Sequence, residues 1–137
     1  MGTKASVEGV KNLYKGWSGE EKMIRLAYDV TGGDVGTADE ITQLALVKEK
    51  ILITRMAVYV KTAVTGQATA TLNIGHTDDD DEFVATVAAT SIAADSVVAL
   101  TASQYILAAG KYITVTPKTA NITAGKVIVE IWYKDVA

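Results

Sequence analysis

The stretch from Ile51 to Phe83 constrains the fold more than any other part of the chain. It reads ILITRMAVYVKTAVTGQATATLNIGHTDDDDEF. Two runs in it alternate apolar and polar residues with a period of two, which is typical of half-buried β-strands. Gly66 and Gln67 separate the two runs. The pattern therefore predicts a β-hairpin over Ile51 to Gly75, closed by an acidic loop over His76 to Glu82.

Similar runs before and after this stretch predict further strands. They lie at Glu20 to Val30, Ile41 to Val47, Phe83 to Ala94, Ser96 to Thr101, Tyr105 to Leu107, Lys111 to Pro117 and Lys126 to Lys134. The segment around Phe83 also fits an irregular crossing. The only proline, Pro117, belongs at a strand end or edge because it lacks an N–H donor. About eight strands at intervals of roughly 8–14 residues indicate an all-β sandwich, jelly-roll-like, or a small barrel.

The segment from Glu40 to Lys50 is ambiguous. Thr37 and Glu40 have the spacing of a capping box, so a short helix could follow. We favour a strand over Ile41 to Val47 and a charged turn over Lys48 to Lys50, because the next strand begins immediately, as in a hairpin.

The chain has 137 residues, enough for one domain with its own core. Residues 1–19 are polar and rich in glycine, without sustained periodicity. We interpret them as an N-terminal arm that docks on a neighbouring subunit, and residues 20–137 as the β-sandwich domain. Since no signal peptide and no apolar run of membrane-spanning length is visible, we expect a soluble protein that is made without export.

Composition excludes several classes of site. The chain has no cysteine and one histidine, His76, so disulfides, thiolate metal sites and His-pair metal motifs are ruled out. A Ser-His-Asp site is disfavoured for the same reason. The net charge is −3, and no clustered basic face suggests a nucleic-acid partner. We expect no cofactor, no membrane partner and no enzymatic activity.

The acidic loop is the sharpest local feature. Asp78, Asp79, Asp80, Asp81 and Glu82 form an unbroken acidic run. Ca²⁺ takes six to eight oxygen ligands, but this run lacks the spaced ligands of an EF-hand loop. We therefore favour an exposed, solvated tip over a cation site, with a contact to basic groups of a partner as a third interpretation. His76 beside it is expected to be a capping or surface residue, and the glycine-rich TGGDVGT segment lacks the ending of a phosphate loop.

Aromatic residues offer two interpretations. Tyr14, Trp17, Tyr112, Trp132 and Tyr133 could form a platform for stacking sugars, or they could be core and interface residues. We favour the second, since Trp and Tyr are the usual anchors of protein interfaces. The interface candidates are Leu13, Tyr14, Trp17, Trp132 and Tyr133.

The run from Ile51 to Phe83 resembles a theme of tailed-bacteriophage virion proteins, with its long strand, glycine turn, ATATLNIG and HTDDDDEF. LAAGKYITVTP and ITAGKVIVEIWY resemble the closing hairpin of the same β-sandwich proteins, with Gly66, Gly75, Gly110 and Gly125 as turn or loop residues. The resemblance spans about Ile41 to Tyr133 and carries no catalytic residues. It implies a protein of the virion.

The resemblance leads to a hypothesis about function. A non-enzymatic head decoration or cement protein fits best. It would be made in the host cytoplasm and bound to the lattice of the major capsid protein at the capsid surface, often as a homotrimer. The alternatives are a carbohydrate-binding or adhesin module and a component of the tail or head fibre.

Overall fold

Nine strands account for most of the residues that the structure describes. In the computed structural model these residues are 11–13, 21–30, 35–66, 69–88, 94–102 and 104–136. The strands are β1 Lys11–Leu13, β2 Lys22–Val30, β3 Thr42–Val47, β4 Ile51–Gly66, β5 Thr71–His76, β6 Asp79–Ala88, β7 Tyr105–Leu107, β8 Tyr112–Lys118 and β9 Ile122–Asp135. The described part of the chain contains no helix, and hence none that is long and apolar enough to cross a membrane.

The strands form two sheets that pack as a single β-sandwich. One sheet has the order β1-β3-β8-β5-β6 and the other the order β2-β9-β4-β7. All pairings are antiparallel except that of β1 with β3, which is parallel and joins the arm segment to the edge of the first sheet. The predicted all-β sandwich of about eight strands is confirmed.

Residues that alternate along the strands point inward and form the core between the sheets. In β9 the inward residues are Val127, Val129, Ile131 and Tyr133, and in β5 they include Leu72 and Ile74. Burying one such aliphatic side chain contributes about 1.5–3 kcal/mol. Because Val and Ile have stiff, branched side chains that fit a pleated surface, they dominate both inner faces.

Three predicted hairpins are wrong. β4 and β5 lie in different sheets, so Ile51 to Gly75 is a crossing between layers. The same holds for β3 with β4 and for β8 with β9. The physical reason is that alternation and a short turn look the same whether the chain folds back within one sheet or crosses the roughly 10 Å between packed sheets. Among the described strands from β2 to β9, only β5 and β6 are consecutive in the chain and lie in the same sheet.

Three of the glycines predicted as turn or loop residues lie in strands instead, and one of them, Gly66, is the last residue of β4. Gly75 is in β5 and Gly125 is in β9. A Cβ atom at Gly125 would lie 2.7 Å from the Cα of Val64 in the neighbouring strand, and its φ of 132° is one that other residues rarely adopt. Glycine is therefore required here by the close approach of β4. The turn before β9 is correspondingly shorter than predicted and ends at Asn121.

Candidate functional site

The acidic run lies at the tip of the β5–β6 hairpin, and most of it belongs to β6 rather than to a loop. His76 pairs with Asp79, so Thr77 and Asp78 alone form the turn. The next registered pair is Ile74 with Val84. Gly75 therefore stands opposite the four residues from Asp80 to Phe83, and β6 bulges outward along the acidic run.

Gly75 makes this bulge possible. A Cβ atom at this position would lie 2.1 Å from the carbonyl oxygen of Asp79 and 2.5 Å from the carbonyl carbon of Asp80. The backbone of β6 thus passes directly over Gly75 at a distance that no side chain permits. Gly75 and the Asp run that follows it in the sequence therefore form one structural unit.

The turn is anchored to the start of β8. The backbone N–H of Thr77 donates to the carbonyl oxygen of Tyr112 at 3.1 Å, and the Thr77 hydroxyl accepts from the N–H of Tyr112 at 2.8 Å. Beside them, the Lys111 Nζ lies 3.1 Å from Asp78 Oδ2. The tip is therefore held in place by a neighbouring strand of its own sheet.

A second lysine neutralises another carboxylate of the run. Lys118 Nζ lies 3.2 Å from Asp80 Oδ2 and 3.7 Å from Asp39 Oδ1. The hydrogen bond to Asp80 is the main cause that raises the pKa of Lys118. Ion pairs as exposed as these add little to the stability of a fold, so their main effect is on the local charge.

Asp79 and Asp81 have no lysine or arginine partner within the described residues. They contact each other: the Asp81 N–H donates to Asp79 Oδ1 at 3.2 Å. A side-chain hydrogen bond between the two carboxyl groups raises the pKa of Asp81 and lowers the pKa of Asp79. Two close carboxylates behave in this way when one of them retains the proton that they share.

The geometry of the tip bears on the predicted alternatives. Carboxylate oxygens of Asp79, Asp80 and Asp81 lie within 4.8 Å of one another. Three such oxygens are half or fewer of the ligands that Ca²⁺ takes, and Asp80 already binds Lys118. The cation site and the contact with a basic partner both stay predictions.

His76 is buried, which corrects the expectation of a surface residue. It is 3% exposed and lies on the same side of β5 as the core residues Leu72 and Ile74. Its Nδ1 accepts a hydrogen bond from the N–H of Asp78 at 3.3 Å, so the capping role is real. Its Nε2 lies 3.6 Å from Glu82 Oε1 and has no hydrogen-bond partner. The inward parity that His76 shares with Leu72 and Ile74 could have revealed its burial.

The imidazole belongs to an aromatic cluster that joins the two sheets. It stacks on Tyr105 of β7 with ring centroids 4.8 Å apart, and Phe83 of β6 meets Tyr105 edge-on at 6.0 Å. The phenylalanine and the histidine come from the acidic hairpin, and the tyrosine comes from the other sheet. The cluster therefore fixes the hairpin tip against the opposite layer.

The outer face of the four-stranded sheet is the second candidate surface. Trp132 of β9 lies there, half-buried, beside Met23 of β2 and Arg55 of β4. The Arg55 guanidinium lies 3.9 Å from the centroid of the Trp132 ring. Further along, the Tyr59 hydroxyl lies 3.0 Å from a carboxylate oxygen of Glu130 on the same face.

This face also carries most of the exposed apolar side chains. Among the described residues, four large hydrophobic side chains are more than half exposed: Met23 (52%), Ile41 (57%), Val97 (81%) and Ile106 (54%). Three of the four pair with outward residues of this sheet: Met23 with Trp132, Val97 with Tyr59, and Ile106 with Leu52. These three side chains therefore point outward from the same face. The sequence indicated this exposure at Met23, because Met23 is an apolar residue at a position of its strand where the alternation predicts an outward, polar side chain.

The predicted aromatic set is not brought together. Tyr133 points into the core and is 5% exposed, whereas Trp132 lies on the outer face of its sheet. Tyr112 alternates with the core residues Ile113 and Val115, so it lies on the outer face of the other sheet. These three residues cannot form one sugar-stacking platform. Tyr14, Trp17 and the side chain of Leu13 lie outside the described residues, and the interface roles stay predictions.

Comparisons with known proteins find structures with a similar fold, but no matching family or curated protein. No protein-family model and no curated protein matches the chain. One chain of the acidic stable capsid structure of Helicobacter pylori bacteriophage KHP30 matches with a TM-score of 0.59 and 13% identity, over 82% of this chain and 86% of that one. One chain of the cyanophage Pam1 capsid asymmetric unit matches with a TM-score of 0.58 and 14% identity, over 88% of this chain and 89% of that one. At these identities the comparisons establish that the chain shares its fold with chains found in phage capsids.

Proposed function

We propose that this chain is a non-enzymatic structural protein of a phage virion, which binds the outer surface of the capsid shell and stabilises it. The observation that carries the proposal is the fold shared with chains of two phage capsid structures over 82% and 88% of this chain. The coverage is high on both sides of each match, so the likeness concerns the whole sandwich rather than a common substructure.

The order of the strands supports the same proposal. We interpret the orders β3-β8-β5-β6 and β2-β9-β4-β7 as a jelly roll, in which the chain changes sheets at almost every connection. This topology recurs in viral capsid and lectin domains. Of these two, the capsid role is better supported, because Arg55 covers one face of the Trp132 ring that a sugar would need.

The shell would be stabilised if the protein binds only the assembled shell. A protein that binds the shell and not its separate subunits favours the shell by mass action. Linked copies would raise the effective affinity further, since each bound copy holds the next one near its site. We propose a homotrimer as the linked form, with contacts made by apolar residues on the outer faces.

Co-sedimentation with capsids tests this function. Purified protein is mixed with phage capsids that have been stripped of this protein. In a separate sample it is mixed with dissociated capsid subunits. We expect the protein to pellet with shells, to remain in solution with subunits, and to raise the temperature at which the shells release DNA. A protein that binds a glycan array and ignores shells would instead favour the adhesin alternative.

We also propose the division into an arm, residues 1–19, and a sandwich, residues 20–137. Its support is that β1 makes the only parallel pairing among the described strands, three residue pairs at a sheet edge. A chain that begins at Glu20 should keep its cooperative thermal transition and lose binding to shells. If the shortened chain does not fold, the first 19 residues belong to the domain.

A further inference from the structure

Arg55 presents an unused hydrogen-bonding group on the outer face of the four-stranded sheet. It is exposed and rests on Trp132, and it makes no hydrogen bond or ion pair within the described residues. A guanidinium group has five N–H donors in a rigid plane, which suits pairs of carboxylate oxygens. Its stacking on Trp132 holds that plane in place. The described part of the chain thus offers a carboxylate-binding group that has no carboxylate partner there.

The surroundings of Arg55 resemble a protein interface. Met23 lies next to Trp132 across the strand pair, and Ile106 and Val97 extend the apolar surface toward the other edge of the sheet. Arg, Trp, Tyr and Met are enriched at the centres of interfaces, and exposed apolar patches of this kind mark binding sites. The face is therefore built for a partner that offers acidic groups.

The same chain carries acidic groups without a cation. Asp78 and Asp80 pair with Lys111 and Lys118, whereas Asp79 and Asp81 have only each other among the described residues. The five acidic residues of the tip contribute −5 to a net charge of −3, which leaves +2 for the rest of the chain. Because Lys111 and Lys118 already pair with Asp78 and Asp80, the acidic charge of the tip that has no lysine partner among the described residues lies on Asp79, Asp81 and Glu82.

Arg55 and the acidic pair are held apart within one copy. Arg55 lies on the outer face of the four-stranded sheet, whereas Asp79 and Asp81 lie in an edge strand of the other sheet. No contact joins Arg55 to either aspartate within the described residues, so a second copy offers each group its complement.

We propose that the acidic tip of one copy docks on the outer face of the next, with the Asp79–Asp81 pair bound by Arg55 above Trp132. Such a contact joins two different surfaces, so it repeats from copy to copy and closes into a ring when the rotation permits. It deepens the proposed function by naming the contact between copies. A chain that fails to self-associate could still bind shells, so the two failures are distinguishable.

A charge exchange within the full chain tests the contact. Arg55→Glu should weaken self-association at least tenfold, and so should the double change Asp79→Lys with Asp81→Lys. All three changes together restore opposite charges and should recover most of the association. Mass is measured by sedimentation and light scattering over a range of protein concentrations, at low salt and at about 1 M salt, where charges are screened within about 3 Å.

Matched controls separate this contact from a general charge effect. Lys61→Glu changes an exposed cation on the same strand, and Glu49→Lys changes an exposed acid elsewhere; neither should weaken the association. Circular dichroism checks that each variant is folded, and Arg55→Gln replaces Arg55→Glu if it is not. The proposal is overturned if the wild-type chain is monomeric at about 100 μM, if Arg55→Glu behaves like Lys61→Glu, or if Ca²⁺ rather than salt controls the mass.

Discussion

His76 stacks on Tyr105 with ring centroids 4.8 Å apart, and this contact joins a hairpin of one sheet to an edge strand of the other. Because β7 has only three residues, its attachment depends on few side chains. The imidazole therefore stabilises the contact between the two sheets, next to the most charged segment of the sequence. Substitutions can show whether this stabilisation comes from the packing of the ring or from the interactions of its nitrogen atoms.

Replacing His76 by Phe should cost about 1 kcal/mol or less, whereas His76→Ala should cost about 2–5 kcal/mol. Phenylalanine keeps the stack on Tyr105 and removes the buried Nε2 that has no hydrogen-bond partner. It loses the hydrogen bond from the Asp78 N–H to Nδ1 and the 3.6 Å approach of Nε2 to Glu82 Oε1. Urea unfolding gives both free energies, with Thr123→Ala at an exposed position as the control. Equal losses for Phe and Ala would mean that the ring nitrogens matter more than the packing.

Gly75→Ala should destabilise the protein by about 1–3 kcal/mol, because the new methyl group overlaps the backbone of Asp79 and Asp80. The strain lies in the hairpin, so amide hydrogen exchange should accelerate first in β5 and β6. Ala109→Gly changes the same methyl group in an exposed turn and should stay within about 0.5 kcal/mol. Wild-type stability of Gly75→Ala would show that β6 does not pass over this residue in solution.

The faces of the strands follow from the sequence, but the partners of the strands do not. Alternation placed Val58 and Val60 of β4 and Val129 of β9 on inner faces, as observed. It also placed Leu52 on that face of β4, which is wrong because the register shifts between Ile53 and Arg55. It could not place β5 in the other sheet, since a strand has the same parity in a hairpin and in a crossing. Only contacts between distant residues, such as the approach of Gly125 to Val64, decide between the two.

The acidic tip shows the same division between local and distant information. Its position after Gly75 and its exposure at Asp78 could be predicted from the run itself. Its partners could not, because Lys111 and Lys118 lie far along the chain and meet the tip only through the pairing of β5 with β8. The burial of His76 was available from parity, and the charged neighbours obscured it.

Tyr28→Phe should stabilise the protein by about 1 kcal/mol, because the buried hydroxyl of Tyr28 has no hydrogen-bond partner. Burial, followed by the charge of Glu40, raises the pKa of Tyr28, in keeping with this dry site. The hydroxyl lies 2.4 Å from the position of a Cβ atom at Gly36. Gly36→Ala should therefore be destabilising alone and much less so when combined with Tyr28→Phe.

A double-mutant cycle measures this dependence. We expect a coupling free energy of about 1–2 kcal/mol between positions 28 and 36, from urea unfolding of the wild type, both single variants and the pair. Additive effects would place the Tyr28 hydroxyl away from Gly36.

Asp81→Asn should raise the melting temperature at pH 7, and the gain should disappear as the pH falls below about 4. The pKa of Asp81 is raised in the folded protein, chiefly by its side-chain hydrogen bond to Asp79. A carboxyl group with a raised folded pKa favours the fold fully while it is protonated, below its unfolded pKa. That contribution is lost as the pH rises through the folded pKa. Asparagine stays neutral throughout, so its advantage exists only where the wild-type carboxyl group is ionised.

Asp79→Asn should behave in the opposite way, because the lowered pKa of Asp79 favours the fold above its unfolded pKa and this contribution is lost at acid pH. Thermal melts of both variants from pH 3 to 8, with exposed Asp95→Asn as the control, measure the difference. Parallel curves for all three variants would mean that Asp79 and Asp81 do not share a proton.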